Sequence, residues 1–214
     1  MSSWPLRWPT GPVEVALAAA STVIGVCAAL VLGAVVFNVA ESHKAGPVAQ
    51  RQRSPVATAT MLLFVAVLYL IVRLRVGAAP VQSPAVALLL AYSGALMFVV
   101  GCIVNLKGRV RLGQNWADHV TIYRAQTLVT GGVFGFVRHP LYASLIWMFY
   151  GASLSYRNWA AALATTLIFV PMMHYRARQE ESMLEQRFPG YARYRSRVGR
   201  FFPRSLKRYT DDSH

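Results

Sequence analysis

The chain has 214 residues, of which 55% are hydrophobic and only 14% charged, with a mean hydropathy of +0.39 and a formal net charge of +14. So much apolar and so little charged material excludes an ordinary soluble domain. The positive charge is gathered into a few segments, as membrane topology requires, and that argues against a nucleic-acid partner.

Residues 2–12 form a short entry in which Trp4 and Trp8 suit the interfacial belt of a membrane. No charge follows over 15–40. This run exceeds the 7–15 residues of a secretory apolar core and lacks a basic leader, which predicts a retained helix to about Ala40. Residues 41–55 form a polar turn with breakers at Gly46-Pro47 and Ser54-Pro55. A second helix is expected from Val56 to about Val76, with Arg73 and Arg75 snorkelling at its end. A tight, proline-bearing loop over 77–84 leads to a third helix from about Ala85 to Leu106. Cys27 and Cys102 fall inside these helices without a CxxC pairing and read as small buried hydrophobes.

The character changes over 107–137, which is polar and glycine-bearing. A loop of that length in a compact protein is functional or disordered, and its interleaved Trp116, Ile122, Tyr123, Phe134 and Phe136 argue for order. Two further uncharged runs, 139–156 and 158–175, make a hairpin turning at Arg157. A helical tail is expected to about Arg187, broken by Pro189-Gly190, with a basic and aromatic segment to Pro203.

A membrane helix needs roughly 20 apolar residues to cross a core of about 30 Å. Two of the five runs satisfy this outright and polar or aromatic flanks lengthen the others, which predicts an all-α, integral membrane bundle of about five spans in a single domain, residues 1–214. With five spans, one side receives 41–55, 107–139 and 176–214, holding 18 of the 22 Lys and Arg. Positive residues concentrate in cytoplasmic loops. The C-terminus is therefore expected in the cytoplasm and the N-terminus outside, with anionic lipid headgroups as partners of the basic face.

Two motifs flank the hairpin. Arg138-His139-Pro140-Leu141-Tyr142 opens it, with Pro140 suited to a first helical turn and His139 held extended before it. Glu180 and Glu181 follow it in a chain with only eight acidic residues. They read either as a solvated helix face pairing with Arg176, Arg178 or Arg187, or as acceptors for a ligand's hydroxyl or amino groups. The segment from Tyr191 to Pro203 reads either as a membrane-surface stretch or as a cap that folds over a pocket, with an arginine meeting a ligand carboxylate. Gly131-Gly132-Val133-Phe134-Gly135 lacks dinucleotide-binding spacing, no nucleophile elbow is present, and the histidines show no metal-binding spacing.

Leu112-Gly113-Gln114-Asn115-Trp116, Thr127 to Phe134, Val137 to Tyr142, and Glu180-Glu181 with Leu184, Phe188, Tyr191, Tyr194, Arg197, Arg200 and Pro203 occur in order. This series resembles the isoprenylcysteine carboxyl methyltransferase family over about 105–206. Phe134, Ser144 and Pro189 depart from its usual tyrosine, glycine and glycine. The resemblance divides the chain into three N-terminal helices, 1–106, and a catalytic part, 107–206.

It further implies a cytoplasmic pocket for S-adenosyl-L-methionine, made by the loop before the fourth helix and the C-terminal helix. His119, Leu128, Val129, Gly131, Val137, His139, Tyr142, Glu180 and Glu181 are the cofactor-binding candidates by this resemblance. Arg138, Arg176, Arg178 and Arg197 are the candidates to meet the carboxylate of a hydrophobic acid entering from the bilayer. A lipid amine N-methyltransferase and an NADPH-dependent sterol-type reductase are the alternatives weighed against it.

Overall fold

The computed structural model describes residues 11–42, 48–52, 55–113, 120–123, 127–205 and 207–209. Trp4, Trp8 and the Gly46-Pro47 breaker lie outside the described residues. The main elements are helices: α1 (Pro12–Ser42), α2 (Pro55–Arg73), α3 (Pro84–Leu112), α4 (Pro140–Ser155), α5 (Trp159–Ala164), α6 (Val170–Arg187) and α7 (Tyr191–Arg197). A short antiparallel pair, β1 (Val48–Gln52) with β2 (Val120–Tyr123), joins the polar turn after α1 to the long loop after α3. The all-α expectation did not include this pair. Its strands are four or five residues long and pair across the chain, so no local periodicity announces them.

α1 and α3 are long and apolar enough to cross a membrane, each over 29 residues. Large apolar side chains such as Leu32, Leu89 and Leu96 face outward on them, as a lipid solvent permits and water does not. α3 runs six residues beyond the expected Leu106. Its extra turns carry Lys107, Arg109 and Arg111, and basic residues favour the negative end of the helix dipole.

α4 is the centre of the bundle. One side packs on α1 and α3 through Ala91, Ala95, Phe98 and Met148. The other packs on α2 and on the α5–α6 arm through Phe64, Leu68, Ile146, Phe169 and Met173. α3 meets α4 along Gly94, Gly101 and Gly108, one glycine every seven residues, so that the helix backbones approach closely. Asn105, fully buried on the same seam, donates to Ser144 Oγ at 2.8 Å and accepts from Arg109 Nε at 2.8 Å.

The hairpin turn lies where the sequence puts it. Asn158 caps α5 by accepting from Ala161 N at 2.8 Å. The turn docks on the loop after α2, with Ala79 N donating to Arg157 O at 2.8 Å and Trp159 N to Gly77 O at 3.1 Å. Those two loops thus share one end of the bundle. A π-helical turn, Thr165–Phe169, precedes α6, with Val170 N bonded to Thr165 O. Pro171 lacks the N–H that would continue an α ladder there, and one wide turn absorbs the gap.

Arg157 holds φ 51°, the left-handed region that costs a non-glycine residue roughly 1–2 kcal/mol. Arg157→Gly is expected to raise stability by roughly 0.5–1 kcal/mol after glycine's own entropy is set against the relief. Thermal unfolding in detergent reads this, and an unchanged or lower midpoint contradicts it.

Candidate functional site

At the other end of the bundle the chain brings its two motifs together. Pro140 starts α4 and His139 precedes it with φ −122°, as a residue before proline prefers. The extended stretch Val137–His139 then pairs with the segment after α7. Arg138 N donates to Gly199 O at 2.8 Å and His139 N to Arg200 O at 3.1 Å, beside a parallel bridge from Val137 to Gly199. The segment read either as a membrane-surface stretch or as a cap therefore folds back over the turn. Tyr194 pins it from the other direction by donating to Phe134 O at 2.6 Å.

α6 carries the carboxylates beneath this cap. Consecutive helix residues point about 100° apart, so Glu181 faces inward at 3% exposure while the Glu180 side chain stays 39% exposed. Glu181 Oε1 accepts from Arg138 Nε at 3.1 Å, Arg138 Nη2 at 2.8 Å, His139 Nε2 at 3.1 Å and Arg200 Nε at 3.0 Å. Its Oε2 accepts from Arg200 Nη2 at 2.5 Å. Glu180 Oε2 lies 3.4 Å from the other ring nitrogen of His139, Nδ1. The His139 ring stacks on Tyr142 at 5.5 Å, and the Tyr142 hydroxyl helps to hold the Glu180 carboxyl below its ordinary value. Arg200 also donates from Nη1 to His174 Nε2 at 2.8 Å.

These contacts set the charges. Burial alone would raise the Glu181 carboxyl, but hydrogen bonds from His139, Arg200 and Arg138 hold it far below the usual range. Burial would lower His139, yet hydrogen bonds and charge from Glu180 and Glu181 outweigh it and raise the imidazole above 6.5. With Glu181 at hydrogen-bond distance from Nε2 and Glu180 Oε2 3.4 Å from Nδ1, both carboxylates favour the imidazolium form of His139.

The two shifts have opposite signs in stability. Glu181, depressed on folding, stabilises fully above its ordinary 4.5 and loses this as pH falls through the folded value. His139, raised on folding, stabilises fully below 6.5 and loses this as pH rises through its folded value. The unfolding midpoint should therefore be highest between about pH 4.5 and 6.5, and His139→Gln should remove the alkaline fall while weakening the acid one, which Arg200 and Arg138 still sustain. A midpoint of His139→Gln that still falls on the alkaline side as the parent's does would contradict the assignment.

Arg138, His139, Tyr142, Glu180 and Glu181 thus form one cluster, in which Arg138, expected to meet a substrate's carboxylate, is held by Glu181 instead. Arg138 is 8% exposed and fully engaged, donating also to Arg195 O at 3.0 Å and to Val198 O. It clamps the turn to the cap. Arg176 lies over the Tyr142 ring at 6.0 Å. Arg178 opens onto a groove of about 760 Å³ between α6, α7 and the segment after α7, lined also by Arg138, Glu181, Arg195, Arg200 and Arg204. Arg197 is exposed on α7 and does not line it.

The loop residues are dispersed. Leu128 packs on Tyr191 and Tyr194, Val129 is half-buried, and Val137 is buried at the bridge. Gly131 lies against Arg111, whose guanidinium is 2.6 Å from where a Cβ would stand, and Gly132 has φ +65°. None of these five lines the groove, and neither do His139, Tyr142 and Glu180. His119, with Gln114, Asn115 and Trp116, lies outside the described residues. Arg200 and His174 were not singled out as site residues. An arginine before Phe201-Phe202-Pro203 carried a cap signal but nothing to say which carboxylate it meets.

Comparison with known proteins places residues 89–190 in a match to the phospholipid methyltransferase family. A cobalt-zinc-cadmium resistance protein, CzcN, of Cupriavidus metallidurans is 32% identical over 103 residues, 48% of this chain. The match spans about half the length of that relative, 47%. Each match covers just under half of this chain, and over that part the resemblance read from the sequence is met by a methyltransferase family.

Proposed function

We propose that this chain, matched over residues 89–190 to the phospholipid methyltransferase family, transfers a methyl group from S-adenosyl-L-methionine to the carboxylate of a hydrophobic substrate at the membrane. A prenylcysteine-like, isoprenoid or fatty acid is the substrate class. The observation that carries the reading is the meeting of His139 and Tyr142 with Glu180 and Glu181 at one end of an apolar hairpin, beside an arginine-lined groove.

The residues fit such a cofactor. A groove of about 760 Å³ is of the size small molecules occupy. Glu180, half-exposed beside His139 and outside the groove's lining, would accept hydrogen bonds from ribose hydroxyls or an amino group. The Tyr191 hydroxyl, buried without a partner among the described residues, is a polar atom for which a ligand supplies the missing bond. The bound cofactor would supply an electrophilic methyl group on sulfur.

The chain's own work is then placement. A carboxylic acid with a pKa of about 4 to 5 is already ionised at neutral pH, so no general base is needed. Arg178, beside the groove and outside the Glu181 cluster, is the cation that best draws the anion in. Orientation of the carboxylate in line with the methyl then supplies the acceleration. The description of the matched family favours a second reading, N-methylation of a lipid amine. The net positive lining of the groove opposes it, because a cationic amine is repelled there.

We place α1, α2, α3, α4 and the α5–α6 arm as five spans, with the cluster and C-terminus cytoplasmic, the N-terminus outside, and the basic face on anionic headgroups. Calorimetric titration with S-adenosylhomocysteine, run beside NADPH, tests the cofactor. Micromolar binding of the first alone is expected, and binding of NADPH alone would overturn the reading. Labelled-cofactor turnover on hydrophobic acids against lipid amines then separates the two acceptors.

A further inference from the structure

On α6, Arg178, Glu181 and Glu185 stand three and four residues apart and so share one stripe of the helix. That stripe forms one wall of the groove, Arg195 of α7 lies on the other, and Arg200 and Arg204 close it from the segment after α7. With Arg138 at its base, the lining holds five arginines against two glutamates, an excess of three positive charges.

Both carboxylates are already engaged. Glu181 holds Arg138 and Arg200, and Glu185 accepts from Arg195. Arg204 donates from Nη1 to Ser196 O at 2.7 Å and meets no carboxylate among the described residues. Arg178 is exposed and makes no hydrogen bond or ion pair among them. Two guanidinium groups thus line one concavity without an internal counter-charge.

A cleft lined by one sign of charge concentrates field and draws the opposite ion from solution. The ligands of the reading above do not answer this excess. In S-adenosyl-L-methionine, sulfonium and ammonium outnumber the carboxylate, so donor and acid together bring no net negative charge. A phosphomonoester carries about −1.5 to −2 at neutral pH, and its oxygens match the planar fork of arginine. Ala192 is the one apolar side chain of the lining, so a lipid would place only its headgroup here. Arg178 lies one turn beyond the uncharged run that ends at Tyr175, which is headgroup depth if α6 leaves the membrane there.

We propose that this groove is a phosphate-binding site, in which Arg178 and Arg204 hold the dianion of a phosphomonoester that neither gives nor accepts the methyl group. The site needs neither the cofactor nor the acid, and only a lipid source for the phosphate rests on the five-span placement.

Calorimetric titration of the whole chain in neutral detergent tests it with dioctanoyl phosphatidate, the diester dioctanoyl phosphatidylglycerol, and glycerol 3-phosphate. The phosphomonoesters should bind about tenfold tighter than the diester, the effect of roughly 1.4 kcal/mol. Arg178→Gln and Arg204→Gln should each weaken that binding about tenfold, the value of one charge-assisted hydrogen bond. Neither variant strips a buried carboxylate of its partner, so the ligand-free unfolding midpoint should stay parental. Arg193→Gln removes the same charge from the exposed surface of α7, outside the lining, and should leave affinity unchanged. Tighter binding of phosphatidate than of glycerol 3-phosphate makes the ligand a lipid, and equal binding makes it a soluble ester; both uphold the site. No binding of either phosphomonoester overturns it, as does equal affinity for the diester or an equal loss in Arg193→Gln. A parent that binds phosphomonoester but gives no heat with S-adenosylhomocysteine would sink the cofactor reading and leave this site standing.

Discussion

Glu181→Ala is expected to destabilise the end of the bundle that carries the two motifs by about 3–5 kcal/mol, the effect of removing one partner from a buried ion pair. Arg138 is left 8% exposed with no carboxylate on Nε or Nη2, and the cap loses the Arg200 contact that holds it to α6. Glu180→Ala should behave differently. Its side chain is 39% exposed although its partner His139 is buried, so this variant should lose less stability than Glu181→Ala, still fold, and lose ligand affinity. The resemblance makes both glutamates cofactor-binding candidates; the burial of Glu181 leaves Glu180 as the one whose loss a folded protein should feel in ligand binding. Replacing both partners, Arg138→Met with Glu181→Leu, should recover part of the loss, because neither charge is then buried alone. Thermal unfolding in detergent decides it, and a parental midpoint for Glu181→Ala would sink the ion-pair account.

The difference between these adjacent glutamates shows where sequence reading stops. Clustered acids after an apolar run mark the region, and Pro140 and Arg187 bound α4 and α6 by local chemistry that a reader of the chain can apply. Which glutamate turns inward depends on the docking of α7 and the segment after it, a contact between residues far apart in the chain. The same holds for the β1–β2 pair and for the end of α3. Lys107, Arg109 and Arg111 look like loop residues by polarity, yet Arg109 is buried against Asn105 on the α3–α4 seam. The π-turn before Pro171 was hidden for another reason: a proline inside an apolar run signals a break, and the structure widens one turn instead.

The seam that carries α4, and with it the site, is where the second large effect is expected. Gly151 lies so close to α3 that a Cβ there would stand 2.7 Å from Gly94 O and 2.9 Å from Phe98 N, both backbone atoms. Gly94 is as confined from the other side, meeting Gly151 O and Ser155 N. Neither neighbour can swing aside as a side chain could, so Gly151→Leu must push the helices apart. Between membrane helices close packing is itself the main attraction, and widening the seam forfeits it along its length. It also strains the Asn105–Ser144 bond, 2.8 Å long and one to two turns nearer the site. Overpacking of this kind costs about 3 kcal/mol or more, and displacement of α4 should carry His139 and Tyr142 off Glu180. Gly25→Leu on α1 is the matched control, for nothing lies within 4 Å of its Cβ position and a better helix former should be tolerated. Unfolding midpoint and S-adenosylhomocysteine affinity should both fall in Gly151→Leu and hold in Gly25→Leu. Equal behaviour of the two variants would mean that the α3–α4 seam does not position the site.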